Sequence, residues 1–206
     1  MPSEAHTHTV CPPGLVALFE DLLVDKNENS AVKMILASVI DLVTQDIIVL
    51  ELESKKRRLG LGSAKKLYVF KKTELPSDPI CDRMSEAISG ENQSITKVVH
   101  NFWGQISWSE HRRVVDPFED VEKWVKEEMV KQGFMKTVST KTRLGLEKKS
   151  YEPIIEKLNP LESDARRLKE QIQQFQAQNP DLYMELVKGI KQGVSSREPI
   201  DTGVAE

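Results

Sequence analysis

Cysteine is scarce in this chain: Cys11 and Cys81 are the only two in 206 residues. That excludes a disulfide-dense secreted scaffold and a four-cysteine zinc site. No run approaches the roughly 18 apolar residues of a membrane span. The N-terminal MPSEAHTHTVCPP lacks the cationic start and apolar block of a signal peptide. Net charge is small as well, 29 Lys and Arg against 32 Asp and Glu, which excludes a general polycation that coats DNA. What remains is ordinary: 39% hydrophobic, 30% charged, ten glycines and ten prolines. At 23.4 kDa the length suits one mid-sized domain or two small ones. The expectation is a cytoplasmic protein with reduced thiols and no cofactor.

The near-neutral total hides an asymmetry. From Ser54 to Thr73 the chain carries Lys55, Lys56, Arg57, Arg58, Lys65, Lys66, Lys71 and Lys72 with no acid, a charge of +8. From Met135 to Ser150 it carries Lys136, Lys141, Arg143, Lys148 and Lys149 against Glu147, a charge of +4. Subtracting both from −3 leaves −15 on the remainder. The sequence describes an acidic body with two basic protrusions.

Local patterning places those protrusions. Leu15, Leu18, Phe19, Leu22 and Leu23 recur on one helical face from Pro13 onward. Ser30 can cap a second helix striped by Val32, Ile35, Leu36, Val39, Leu42 and Val43. Thr44 to Asp46 breaks it, Ile47 to Leu52 reads as a strand, Glu53 to Ala64 as an exposed loop, and Leu67 to Phe70 as a returning strand. The order then repeats. Pro79 to Ser89 reads as a helix, Gly90 to Gln93 as a turn, and Ser94 can cap a helix carrying Val98, Val99 and Phe102. Pro117 opens a further helix that Gly133 ends. Phe134 to Val138 is a strand, and Leu144 to Leu146 can return beside it. The loops share wording, Arg58-Leu59-Gly60-Leu61 with Lys65-Lys66 and Arg143-Leu144-Gly145-Leu146 with Lys148-Lys149. Beyond Ser150 a heptad-like stripe of Leu161, Ala165, Leu168, Ile172 and Phe175 predicts a helix, broken at Asn179-Pro180. Leu182, Leu186 and Ile190 continue a shorter helix that Gly193 should end, and the segments 1–12 and 195–206 read as disordered.

Helices followed by a two-stranded wing form the winged-helix plan, a variant of the helix-turn-helix. VIDLVTQDIIVLELE resembles the last-helix-into-wing passage of such domains, and VEKWVKEEMVKQGFMKTV has the same grammar with Gly133 at the corner. The pair also resembles the cytoplasmic C-terminal region of a domain-of-unknown-function family of predicted membrane proteins. In that family two degenerate winged helices precede a helical segment. The likeness spans roughly Pro13 to Val194, with MELVKGIKQGV standing where the family has a short helical motif. The family's transmembrane segments have no counterpart here, and the resemblance implies no function. The expected fold is therefore α+β, mainly helical, with winged-helix-like units at 13–74 and 78–150 and a helical extension at 151–194.

Function follows from the loops and the aromatics. On a DNA-bound winged helix the wing cations neutralise phosphates, a role open to Lys55, Lys56, Arg57, Arg58, Lys65 and Lys66, and to Lys141, Arg143, Lys148 and Lys149. The helix that should read bases, Ser30 to Val43, offers only Lys33 and carries Asp41, and the second carries Glu119, Asp120, Glu122, Glu127 and Glu128. Base reading is therefore not expected. An anionic membrane surface is a further use, at about 1 kcal/mol per cation, with Leu59 and Leu61 at the loop tip. GLGSAKK lacks the phosphate-loop spacing and precedes a strand rather than a helix. His6, His8, His100 and His111 do not make a metal set, and Cys81 has no histidine–acid partner in sequence reach. Trp103 and Trp108, near Phe102 and Phe118, pack in a core or, if exposed, anchor a protein partner. The stripe from Leu161 to Phe175 either packs inside the chain or pairs two copies. The leading expectation is a non-catalytic adaptor that binds another protein. Nonspecific nucleic-acid binding through the basic loops stands second.

Overall fold

The computed structural model describes residues 10–56, 63–73, 87–88, 93–109, 117–141 and 147–195. Two short helices open the chain, α1 (Pro12–Leu18) and α2 (Glu20–Leu23). The sequence reads them as one helix, but the backbone breaks at Phe19, which leaves both Leu18 and Leu23 buried. Val10, Cys11 and Pro12 are buried too, so this stretch is core rather than frayed terminus. α3 (Ser30–Thr44) begins at a cap one residue earlier than the sequence suggests. The Asn29 side chain accepts from the Ala31 and Val32 amides, while the Ser30 hydroxyl donates to Glu20 instead.

α3 is the centre of the molecule. Every residue from Ala31 to Leu42 is buried, Lys33 and Asp41 included. Lys33 survives there because Glu28 holds its ammonium at 2.9 Å, and Asp41 accepts from Gln45 Nε2 at 2.7 Å. A long hairpin follows, β1 (Ile48–Lys56) against β2 (Ser63–Lys71), paired from Ile48↔Lys71 to Lys56↔Ser63. Its strands reach well into the stretch that reads as loop. A third strand, β3 (Gln93–Ser94), lies antiparallel to β2 through Tyr68↔Ser94 and Val69↔Gln93. The sequence places a turn at Gln93. The strand that leads into the next helix thus belongs to the sheet of the first hairpin, while the Ser94 hydroxyl still caps that helix by accepting from the Lys97 amide at 3.4 Å.

That helix is α4 (Ile95–Ser109), followed by α5 (Pro117–Lys131), which has proline at its start and Glu119 and Asp120 in its first turn. Phe102 of α4 meets Trp124 of α5 edge to face, with ring centroids 6.1 Å apart. A second hairpin pairs β4 (Met135–Lys141) with β5 (Glu147–Pro153). The return strand expected at Leu144 to Leu146 falls outside the described residues, and the described strand begins at Glu147. Two 3₁₀ turns, Ile155–Lys157 and Asn159–Leu161, lead into α6 (Glu162–Gln178) and α7 (Pro180–Ser195).

The architecture is α+β, mainly helical, with two small antiparallel sheets among the described residues. A single core joins Leu15, Met34, Ile40 and Ile48 to Val99, Trp124 and Met129, and on to Leu168, Leu186 and Ile190. The heptad-like stripe is consumed within it, since Leu161, Ala165, Leu168 and Ile172 are all buried. Pairing two copies through that stripe would require unpacking it from the chain's own core. Gly193 does not end the last helix, which runs on to Ser195. Its missing side chain instead lets α7 lie against α4: a Cβ there would stand 2.7 Å from the Thr96 carbonyl oxygen and 2.7 Å from Val99 Cβ.

Candidate functional site

The two basic hairpins share one local construction. After α3, Gln45 N–H donates to Asp41, Asp46 to Val43 and Ile47 to Leu42, and Lys72 closes the base by donating to Ile47. After α5, Gln132 donates to Glu128, Gly133 to Val130 and Phe134 to Met129, and Ile154 closes onto Phe134. The corner residues both take positive φ, 58° at Asp46 and 76° at Gly133. Each helix therefore turns into its strand through the same left-handed cap.

The described cations of the first hairpin are largely engaged. Lys65 holds Asp181 of α7 at 3.0 Å, and Lys72 holds Asp46 at 2.6 Å. Lys66 stands 5.5 Å above the Tyr68 ring and lies directly opposite Glu53 in the ladder. Glu51 faces Tyr68 in the same way. The basic segment begins at Ser54 in the sequence, but register brings two glutamates from just before it back among the lysines. Lys55 and Lys56 lie on β1, with side chains outside the described part, and Arg57 and Arg58 lie wholly outside it.

The second hairpin is barer. Lys136 pairs with Glu152 at 3.3 Å, while Lys141, Lys148 and Lys149 are exposed and make no ion pair among the described residues. Alternation divides them, because cross-strand partners share a face and neighbours along a strand do not. Lys148, opposite Thr140, joins Lys136 on one side of the ribbon; Lys149 and Lys141 lie on the other. Arg143 falls outside the described residues.

A groove-reading helix is missing from its expected place. α3, burying every residue from Ala31 to Leu42, has no face to lay in a DNA groove. Phe118 is half-buried against the core; Trp103 and Trp108 lie on α4 with side chains outside the described part. Cys11 is buried and His100 half-buried, while His6, His8, His111 and Cys81 fall outside the described residues. Among the described residues no three His, Cys, Asp or Glu side chains gather to hold a metal. No described helix is long and apolar enough to cross a membrane.

Three concave surfaces were not anticipated from the sequence. The largest of them, about 400 Å³, runs between α1–α2 and the second hairpin, walled by Phe19, Leu22, Met135, Tyr151, Pro153 and Leu158. Glu20, Asp21 and Lys126 rim it, and Lys126 reaches Glu20 at 3.5 Å. Tyr151 is fixed by donating to Glu127 at 2.9 Å. Ile155, 76% exposed, sits on the turn between two wall residues, Pro153 and Leu158. The second, a polar cleft of about 310 Å³, lies where the α2–α3 turn meets α6 and α7. Here burial, and then the charges of Glu28 and Asp25, push the Tyr183 phenol above its ordinary pKa. The third is a shallow surface along α7 around Met184, 61% exposed. The sequence signal for the first was the unassigned apolar run Tyr151, Pro153, Ile154, Ile155, Leu158, too short for a helix stripe.

No family model, curated protein or solved structure matches this chain.

Proposed function

We propose that this chain is a non-catalytic protein-interaction module, built on two winged-helix-like units held together by a helical arm. The repeated corner after α3 and α5 supports the tandem plan, since the same hydrogen bonds turn each helix into its hairpin. The observation that carries the interaction reading is the groove between α1–α2 and the second hairpin. Aromatic and aliphatic walls with a few charges at the rim are what a peptide anchor needs. The exposed rim acid Asp21, beside a Glu20 already engaged by Lys126 and Ser30, favours a partner segment that presents apolar side chains beside a cation.

The test is selection of peptides from a random library on the intact chain, followed by affinity measurement on Leu158→Asp. Leu158 is only half-buried, so circular dichroism should report an intact fold. Apolar peptides carrying a cation should emerge and lose about tenfold or more in affinity on the variant. Peptides that bind the variant equally well would overturn the reading. So would a retarded band on random duplex DNA at low salt that disappears on reversing Lys148 and Lys149, which would assign the function to backbone contacts of the second hairpin.

A further inference from the structure

We propose that the outer face of α7 is a contact between two copies of this chain, with the two helices antiparallel about a twofold axis. α7 is apolar on two sides. Leu186, Ile190 and Val194 are buried, and Gly189 and Gly193 lie against Ile95, Thr96 and Val99 of α4. On the other side Met184 is 61% exposed, and Tyr183, Val187, Lys188, Lys191 and Gln192 complete a shallow surface around it. The spacing of three and four keeps Met184, Val187, Lys188 and Lys191 on one face.

The ends of that face carry opposite charge, Asp181 in the first turn and Lys188 and Lys191 beyond the middle. A twofold contact must be self-complementary. A strip that is acidic at one end, apolar at its centre and cationic at the other meets that condition when the second helix runs the opposite way. Setting Met184 on Val187 of the second copy fixes the register. Asp181 comes within one residue's rise of Lys191 of the second copy. Each of these contacts occurs twice, and antiparallel helix dipoles add to them.

The existing partners leave room. Asp181 accepts from Lys65 but its side chain is 64% exposed, and a carboxylate takes more than one donor. Lys191 has no ion pair among the described residues, and Lys188 holds only Glu185, at 3.0 Å on its own helix. An unrelated acidic helix, or an anionic membrane, would satisfy the lysines but leave Asp181 with Lys65 alone. A second copy matches both ends. One helix face buries less than the roughly 800 Å² per partner of a stable complex, so the dimer is a weak one.

Sedimentation equilibrium on the full chain, from about 10 μM to 1 mM, reads the association directly. A reversible monomer–dimer equilibrium is expected, weakened about tenfold or more by Met184→Glu. Asp181→Lys and Lys191→Asp should each weaken it, and the double variant should recover to within about threefold of the parent. All three sites are exposed, and circular dichroism confirms that the variants fold. A monomer throughout the range overturns the proposal, as does a dimer indifferent to Met184→Glu. Failure of the double variant to recover overturns the antiparallel pairing.

Discussion

The two hairpins begin alike and end differently. Both leave their helix through a residue at positive φ, with the same run of amide donors reaching back into the last turn. The first then enters a three-stranded sheet, gains β3 from the segment that leads into α4, and ties Lys65 to α7. The second stays a two-stranded ribbon leaning mainly on α5, with three lysines facing water. Local sequence grammar makes a hairpin; distant chain decides whether its charges are available. Among the described residues, charge count does not say which cations are engaged: Lys65 and Lys72 of the first hairpin hold carboxylates, while Lys141, Lys148 and Lys149 of the second hold none.

The sharpest way to break this difference is to loosen α7, which packs on β2 as well as α4. Gly193→Val drives a side chain into the Thr96 carbonyl and Val99, where backbone cannot yield easily. A loss of about 2–4 kcal/mol is expected in denaturant unfolding. Amide exchange should speed up in β2 before it does in β5. Equal acceleration in both hairpins would show that α7 braces the whole core rather than the first sheet.

The corners allow a smaller and more direct comparison. Gly133→Ala places a Cβ at φ 76° and should cost about 1 kcal/mol. Asp46 already carries a side chain at φ 58°, a strain that aspartate tolerates better than most residues. Asp46→Gly should relieve it and give up only the exposed pair with Lys72, for a net change within about 0.5 kcal/mol. Thermal unfolding of both variants decides the matter. A large loss from Asp46→Gly would mean that the Lys72 pair, not the backbone, holds the first corner.

What the sequence disclosed divides along the same line between local and distant. α3, α5 and the two corners were legible because periodicity, Pro117 and Gly133 act within a few residues. The stripe from Leu161 to Ile172 was legible as an apolar face, though not as one buried in the chain's own core. Strand β3 was not legible, since Gln93 and Ser94 become a strand only where Tyr68 and Val69 offer an edge. The role of Gly193 was misread for a similar reason: its neighbour across the crossing is Thr96, not the residues beside it. Of the candidate site, the lysines were visible but their pairing was not. Asp181 lies 116 positions from Lys65, and the groove walls come from segments as far apart as Phe19 and Leu158.

The smallest expected effect concerns how the first half is clasped. Tyr183 of α7 lies in the cleft against the α2–α3 turn, and no corresponding helix clasps the second hairpin among the contacts described. Burial, then Glu28, then Asp25, raise its pKa above the ordinary 10.0, because each disfavours the phenolate. A raised pKa in the folded state means that the unfolded chain gives up this proton first. Its contribution is therefore fully present below about pH 10 and is lost as pH rises from there through the folded value. Lysines titrate in the same range, so the comparison must be made against Tyr183→Phe, which lacks the proton and keeps the ring. Urea unfolding at pH 8 and pH 11 should show a slightly steeper alkaline loss in the parent than in the variant. Identical losses would mean that the phenol is solvated, and that α7 grips the turn through Leu22, Leu23 and Ile172 alone.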